Sequence, residues 1–358
     1  MITRYPTYYK DFKCIASECK TSCCAAGWEI LIDPDTAKYY KSVKGDFGKK
    51  LKKKIEYKNP AHFKLEKSGR CPFLNEKNLC DIYTNLGENH LCQICTEHPR
   101  FYECFNDFIE CGLGIYCEEA CRIILTQKGP FCTYEVTSNE EINDNYNEDV
   151  FNYMCKCRAQ IFDYLATDTK TPLNEKMANL LWFVHTIQQN IDSNLLDAET
   201  IFQVTAEHKT QITNYLEYLL KLEPNDKNWF DYVKNCIATY EANASSRLAD
   251  FEVANPELEQ YLTNLANYYV YRYFLRGIYD EDALSRFKFI AVNIAVIKAL
   301  LFCKWLNKGK LELRDYIFTI KKYAEEIECS DDNLLNIHIA CYELDLFSTE
   351  NILGLFKK

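Results

Sequence analysis

The sequence predicts a mainly α-helical protein whose amino-terminal part is a cysteine-rich α+β region. Three observations predict it. Thirteen of the nineteen cysteines fall in the first 132 residues. That same region breaks into short apolar runs separated by turn-forming residues. Beyond residue 143, apolar positions recur with helical spacing almost to the end.

The chain has 358 residues, enough for two ordinary domains. Its apolar fraction of 47% and charged fraction of 26% are those of a globular protein. The net charge is −10, from 42 basic and 52 acidic side chains. An acidic surface is a poor general binder of nucleic acid, because phosphate contacts need Lys and Arg. It is suited to a basic protein partner, although charge alone selects none. The start, Met-Ile-Thr-Arg-Tyr-Pro, lacks the apolar core of a signal peptide, so a cytoplasmic location is expected. The most apolar run, Phe289 to Ile297, is interrupted by Asn293 and reads as too short to span a bilayer. A buried core helix is expected there, and no membrane partner. The odd cysteine count, the chain length and the missing leader argue against a disulfide framework and for metal or redox chemistry.

The expected organisation is a cysteine-rich region over 1–127, a linker over 128–142 and a helical domain over 143–358. Glu29-Ile30-Leu31-Ile32 reads as a short strand. Asp33-Pro34 supplies an N-cap and first-turn proline for a basic helix to about Ile55, weakened in its middle by Gly45 and Gly48. Lys49, Lys50, Lys52, Lys53 and Lys54 read as its solvated face. Cys71-Pro72-Phe73-Leu74 and Leu79-Cys80-Asp81-Ile82-Tyr83 flank a polar turn, as in a hairpin or a strand leading into a helix. Phe105 to Tyr116 suits a strand, and Cys117 opens a helix to Leu125. Gly129-Pro130 and a polar run mark the linker. Helices are expected near 143–167, 173–192, 197–221, 229–246, 256–276, 281–307, 309–328 and 331–345. Asn255-Pro256 and Ser330 mark two of their starts.

The chemistry lies in the cysteine spacing. Cys14-x4-Cys19-x3-Cys23-Cys24 places four sulfurs within eleven residues. Adjacent side chains diverge, so Cys23 and Cys24 read as serving different partners. A second group comprises Cys71, Cys80 and Cys92-x2-Cys95; a third comprises Cys111, Cys117 and Cys121. Such a set meets the four-thiolate requirement of a cubane cluster, and zinc would accept it equally. His90 and His98 stand among these cysteines and read more simply as structural. Cys236, Cys303, Cys329 and Cys341 read as buried small apolar residues. Cys155 and Cys157 are too closely spaced to chelate easily from a helix.

The pattern Cys14…Cys19…Cys23-Cys24, then Cys71-Pro72-Phe73-Leu74, Cys80-Asp81-Ile82-Tyr83 and Cys95-x3-Pro99, resembles the cysteine-cluster proteins described as zinc- or iron-chelating. Within that group it is similar to the flagellin lysine-N-methylase family. Leu86-Gly87-Glu88, Pro99-Arg100, Cys117-Glu118-Glu119-Ala120-Cys121-Arg122 and the tyrosine-rich run Asn267 to Phe274 carry that closer likeness. The resemblance implies methyl transfer from S-adenosylmethionine to lysines of flagellin, in association with a [4Fe–4S] cluster. It carries over Cys14, Cys19, Cys23, Cys24, Cys71, Cys80, Cys95 and Cys117 as candidate metal ligands. Cys92, Cys104, Cys111 and Cys121 lie outside the pattern, and Glu118 and Cys121 stand where the family tends to have Pro and Ala.

The residues themselves allow more than one function. Gly112-Leu113-Gly114 lacks the strand–turn–helix context of a nucleotide-binding turn, and no Cys-x3-Cys-x2-Cys run is present. A cluster held by three cysteines would leave one iron for the methionine end of the donor. Arg100 is a candidate for the donor carboxylate, with a structural ion pair as the alternative. The aromatic Tyr5 to Phe12 segment reads as a cation-binding wall or as ordinary packing. No spacing selects a catalytic base. Two other functions fit the same cysteines: a structural-zinc protein that binds a partner or carries metal, and an iron–sulfur redox protein.

Overall fold

The computed structural model describes residues 2–58, 60–105, 108–137, 146–167, 170–197, 204 and 208–357. Of the described residues 63% are helical, and the small sheets among them lie in the amino-terminal part. It divides into two compact units. The helical unit comprises Met1–Lys10, Tyr102–Gly112 and Cys121–Lys358; the cysteine-rich unit comprises Asp11–Phe101 and Leu113–Ala120. The division differs from a single cut at 127, because residues 1–10 and 102–112 contribute strands to the sheet of the helical unit.

That sheet has the strand order Arg100–Cys104, Phe108–Leu113, Ile2–Pro6, Thr133–Thr137. Ile2–Pro6 runs parallel to Phe108–Leu113 and antiparallel to Thr133–Thr137. Every position of Phe108–Leu113 is buried, the pattern of a strand covered on both faces. The expected linker therefore contains an ordered strand at its centre; its residues 138–142 lie outside the described residues.

The helices of this unit surround one long apolar helix, Ala283–Lys308. Leu173–Asp192, Leu258–Tyr273, Trp229–Ala254, Asp331–Glu343 and Leu313–Ile327 all pack against it. Asp282 caps it by accepting a hydrogen bond from the Ser285 amide at 2.8 Å, and Gly309 ends it at φ 81°. Among the described residues this helix is long and apolar enough, by length and composition, to cross a membrane; its mean hydropathy is 1.9 over the most apolar stretch. The expectation drawn from Phe289 to Ile297 alone was thus too short. Since 78% of that stretch is buried, the helix is a core element here. Of the expected helices, 143–167 is observed as Glu148–Thr167, with 143–145 outside the described residues. Within 197–221 the described helix is Ile212–Leu219, and 198–203 and 205–207 lie outside the described residues. A final helix, Thr349–Leu355, was not expected; Ser348 caps it at the Asn351 amide.

One buried ion pair joins sheet to helix. The Arg158 guanidinium, on Glu148–Thr167, donates two bonds to Glu110, at 2.7 Å to Oε2 and 2.6 Å to Oε1. Arg4 reaches the same carboxylate at 3.3 Å, and Tyr271 donates its hydroxyl to the Arg4 carbonyl at 2.9 Å. Glu110 and Arg158 are 1% and 6% exposed at their side chains, so neither charge has water to fall back on.

The cysteine-rich unit has little regular structure. Its sheet orders Leu31–Ile32, Ala61–Phe63 and Ile55–Glu56, strands of two or three residues. The single basic helix expected over 34–55 is two, Pro34–Ser42 and Gly45–Lys54. The break is steric: Gly45 sits at φ 76°, and a Cβ on Gly48 would run into the Val43 carbonyl. The expected hairpin reduces to one antiparallel bridge, Leu74 to Cys80, leading into Asp81–Leu86.

Removing Arg158 tests the buried pair. Arg158→Met should cost about 3 kcal/mol in denaturant unfolding, the lower end for a broken buried pair, since Glu110 stays buried and keeps Arg4 beside it. Glu110→Leu combined with Arg158→Met should recover much of that loss. A single variant as stable as the parent would show that the pair is not holding sheet to helix.

Candidate metal centre

The cysteine-rich unit gathers its thiols in two neighbourhoods. The deeper one forms within a hydrophobic cluster built on Phe63, Phe73, Ile82, Tyr40 and Leu51. Cys71 and Cys92 are buried in this cluster, and Cys24, Cys80 and Cys95 pack against it. Backbone bonds fix the arrangement: the Cys71 amide donates to the Cys24 carbonyl at 2.8 Å, and the Cys95 amide to the Cys92 carbonyl at 2.9 Å. The Cys92 and Cys95 thiols hydrogen-bond each other. Burial pushes the Cys71 thiol up to about 12, with Cys24, Cys80 and Cys92 adding repulsion. Its bond to Cys92 raises Cys95, and burial adds to that.

Local structure explains why these residues meet. The Asp33 carboxylate caps two helices at once, accepting from the Thr36 amide at 3.0 Å and the Gln93 amide at 2.9 Å. It thereby ties the start of the Cys92–Cys95 turn to Pro34–Ser42. Tyr40 donates its hydroxyl to the His90 carbonyl at 2.6 Å. Asp81, next to Cys80, pairs with Lys50 and accepts from Asn75 at 2.9 Å.

The shallower neighbourhood is organised by Glu118. Its Oε2 accepts from the Cys19 thiol at 3.4 Å, the Lys20 amide at 2.8 Å, and the Thr21 amide and hydroxyl at 2.9 Å each. These bonds hold the Cys19 loop against the residue following Cys117. Both Cys19 and Cys23 feel the charge of Cys117, and Cys23 that of Cys14. Burial pushes Cys19 up to about 12. The Cys23 and Cys24 thiols hydrogen-bond each other, which raises Cys23 and brings Cys24 down to about 7, with Arg70 assisting. Trp28 donates its indole N–H to the Cys23 carbonyl at 2.8 Å.

All eight candidate ligands, Cys14, Cys19, Cys23, Cys24, Cys71, Cys80, Cys95 and Cys117, therefore lie in one unit. Cys92, outside the pattern carried over by the resemblance but grouped by spacing with Cys71, Cys80 and Cys95, stands among them as well. Cys111 and Cys121 belong to the helical unit. Among the described residues no three Cys, His, Asp or Glu side chains close on a point that would hold a single ion. The donors fit a thiolate-bound metal by chemistry, all of them sulfur, with their mutual repulsion relieved by a cation.

The remaining candidates are engaged structurally. Arg100 donates from Nη1 to the Thr96 carbonyl at 2.8 Å, and its guanidinium lies 5.7 Å from the Phe12 ring. His90 stacks on Tyr39 at 4.3 Å, and His98 lies 5.8 Å from Trp28 and 5.7 Å from Tyr116. Tyr5 stacks on Tyr134 at 5.3 Å, as ordinary packing would have it. Cys236, Cys303 and Cys341 are buried as expected, but Cys329 is exposed, because it follows a helix end and precedes the Ser330 cap of the next.

Fold and site together define a class: a helical protein carrying a compact thiol-rich unit. The family model for the FliB lysine N-methylase C-terminal domain matches residues 158–355. Lysine-N-methylases of Salmonella choleraesuis and Salmonella typhimurium are each 29% identical over 139 residues, 37% of this chain and 34% of theirs. The flagellar biosynthetic protein FliU of Salmonella muenchen is 30% identical over 127 residues, 34% of this chain and 75% of that protein. No solved structure matches significantly. The chain belongs to the FliB lysine N-methylase family, and its alignment spans about a third of the lysine-N-methylases it matches.

The approach of Gly27 to Gly69 offers a test of how the loop is held. Both have positive φ, 82° and 81°, and a Cβ on Gly69 would fall 2.9 Å from the Gly27 Cα. Gly69→Ala should cost at least about 1–2 kcal/mol from the left-handed backbone alone and lower the melting temperature. An unchanged melt would show that the loop does not rest on this approach.

Proposed function

We propose that this protein is an S-adenosylmethionine-dependent protein-lysine N-methyltransferase that acts on flagellin in the cytoplasm, with a [4Fe–4S] cluster on its amino-terminal thiols. The observation that carries the reading is the family match over 158–355, which covers the helical unit's tyrosine-rich helix. The relatives' printed names supply lysine as the acceptor and the flagellum as the setting. The thiol neighbourhoods support the cluster. When bound, such a cluster supplies an iron to which the amino and carboxylate groups of the donor can attach if one cysteine position is open.

The acceptor lysine must arrive at the methyl carbon as a neutral amine, because an ammonium has no lone pair. The new N–C bond then forms from that lone pair as the C–S bond breaks, and its electrons return to sulfur. Burial raises Tyr268, Tyr269 and Tyr273 well above 10, which disfavours these three as the base. Tyr268 and Tyr273 donate to Glu328 at 2.7 and 2.8 Å, beside Arg272 at 2.7 Å. The net charge of −10 favours approach of a lysine-bearing partner.

The test is transfer of isotope-labelled methyl from S-adenosylmethionine to purified flagellin by the anaerobically prepared protein, with peptides mapped by mass spectrometry. Label on flagellin lysines is expected. Folded, metal-loaded protein that leaves every lysine unlabelled would overturn the reading.

A further inference from the structure

We propose that Cys236 and Cys303 form a thiol–disulfide exchange site in the helical unit, which takes a small anionic disulfide of the glutathione type. Both cysteines belong to that unit and to none of the cysteine groups of the candidate metal centre. The site therefore stands apart from the proposed methyl transfer and does not rest on it.

The two thiols come from neighbouring helices. Cys236 lies on Trp229–Ala254 and Cys303 on Ala283–Lys308, which pack against each other. The Cys303 sulfur stands 3.3 Å from the Cys236 carbonyl oxygen, although the residues are 67 apart in sequence. The thiols also hydrogen-bond each other. A single buried cysteine behaves as a small apolar residue. Two in contact across a helix pair can share a proton and can be joined by one bond.

A cavity leads to this pair. Its volume is about 420 Å³, and both cysteines line it, together with Tyr232, Asn235, Thr239, Lys304, Asn307 and Lys308. That is the size of a small-molecule site. Cys236 is 5% exposed and Cys303 2%, so the sulfurs form its floor. Its amides and ammonium groups are donors suited to carboxylates. Lys308 is held by Asp315 at 2.6 Å, whereas the Lys304 ammonium lies over the Phe318 ring at 5.3 Å and is placed to attract an anion. Cys341 is equally buried but does not line this cavity, which makes it an internal control.

The pair is also asymmetric. The bond from Cys303 lowers Cys236 against the effect of burial, with Tyr232 and Lys322 assisting, and the same bond raises Cys303. Cys236 is then the attacking sulfur. Its lone pair forms a bond to one sulfur of the small disulfide as the S–S bond breaks. The thiolate released takes the Cys303 proton. The Cys303 thiolate next attacks the Cys236 sulfur and expels the second small thiolate, which takes up the proton that Cys236 gave to solvent. Two protein thiols are oxidised by two electrons, and the small disulfide is reduced to two thiols.

The test treats the anaerobically purified full chain with oxidised glutathione. Remaining thiols are alkylated under denaturing conditions, and the digest is mapped by mass spectrometry. The expected product is a Cys236–Cys303 peptide pair, two hydrogens lighter than its reduced parts and reopened by dithiothreitol, while Cys341 stays free. In Cys303→Ser the reaction should stop at glutathione bound to Cys236, because the resolving sulfur is gone. In Cys236→Ser, Cys303 should stay free. Recovery of both cysteines as free thiols from the treated parent would overturn the proposal. So would crosslinking that appears only in step with modification of Cys341, since that pattern reports unfolding. Should a variant fail to fold, the crosslink mapped in the parent against Cys341 still decides the matter.

Discussion

The gathering of thiols in a half-buried place is the constraint on which the cysteine-rich unit depends. Metal ligation requires thiolates, yet burial first of all pushes Cys19, Cys71 and Cys80 upward, and Cys23 and Cys95 are raised first by their bonds to Cys24 and Cys92 and then by burial. Such a cluster of side chains can ionise together only around a cation. The unit also has strands of only two or three residues and one modest hydrophobic cluster. A small core of this kind commonly needs a metal or another staple to hold it, and binding is then part of the folding free energy. Asp33, Glu118 and the Gly27–Gly69 approach set the loops in place, so the thiols are brought together by polar bonds and backbone geometry as much as by apolar burial.

The helical unit is held by different means. Ala283–Lys308 supplies a continuous apolar surface for seven other described α-helices, which is why its composition would suit a bilayer while its residues are buried. Two of its most buried carboxylates have charged partners. Glu110 receives Arg158 and Arg4, and Glu328 receives Arg272, Tyr268 and Tyr273. The family match begins at Arg158, the helix residue of the first of these pairs.

Local signals in the sequence carried well into the structure. Asp33-Pro34 and Ser330 start helices because capping is decided within a few residues, and the helical spacing after residue 143 corresponds to real helices at most expected places. What depended on distant partners was not legible. Ile2–Pro6 becomes a strand only through partners at 108–110 and 133–137. The break between Pro34–Ser42 and Gly45–Lys54 needed the conformation of Gly45, which a propensity argument can only suggest. At the site, the cysteine spacing announced a thiol-rich region and grouped Cys92 with Cys71, Cys80 and Cys95, but the Cys23 and Cys24 thiols, expected to diverge, hydrogen-bond each other. The spacing did not reveal that Glu118 clamps the Cys19 loop, since that rests on tertiary packing.

The most direct measurement of the central claim is the visible and paramagnetic-resonance spectrum of the anaerobically purified protein during titration with S-adenosylmethionine. A brown protein with the broad absorption of an iron–sulfur cluster, whose reduced signal changes as the donor is added, is the predicted result. A colourless zinc protein whose spectrum ignores the donor would contradict the account.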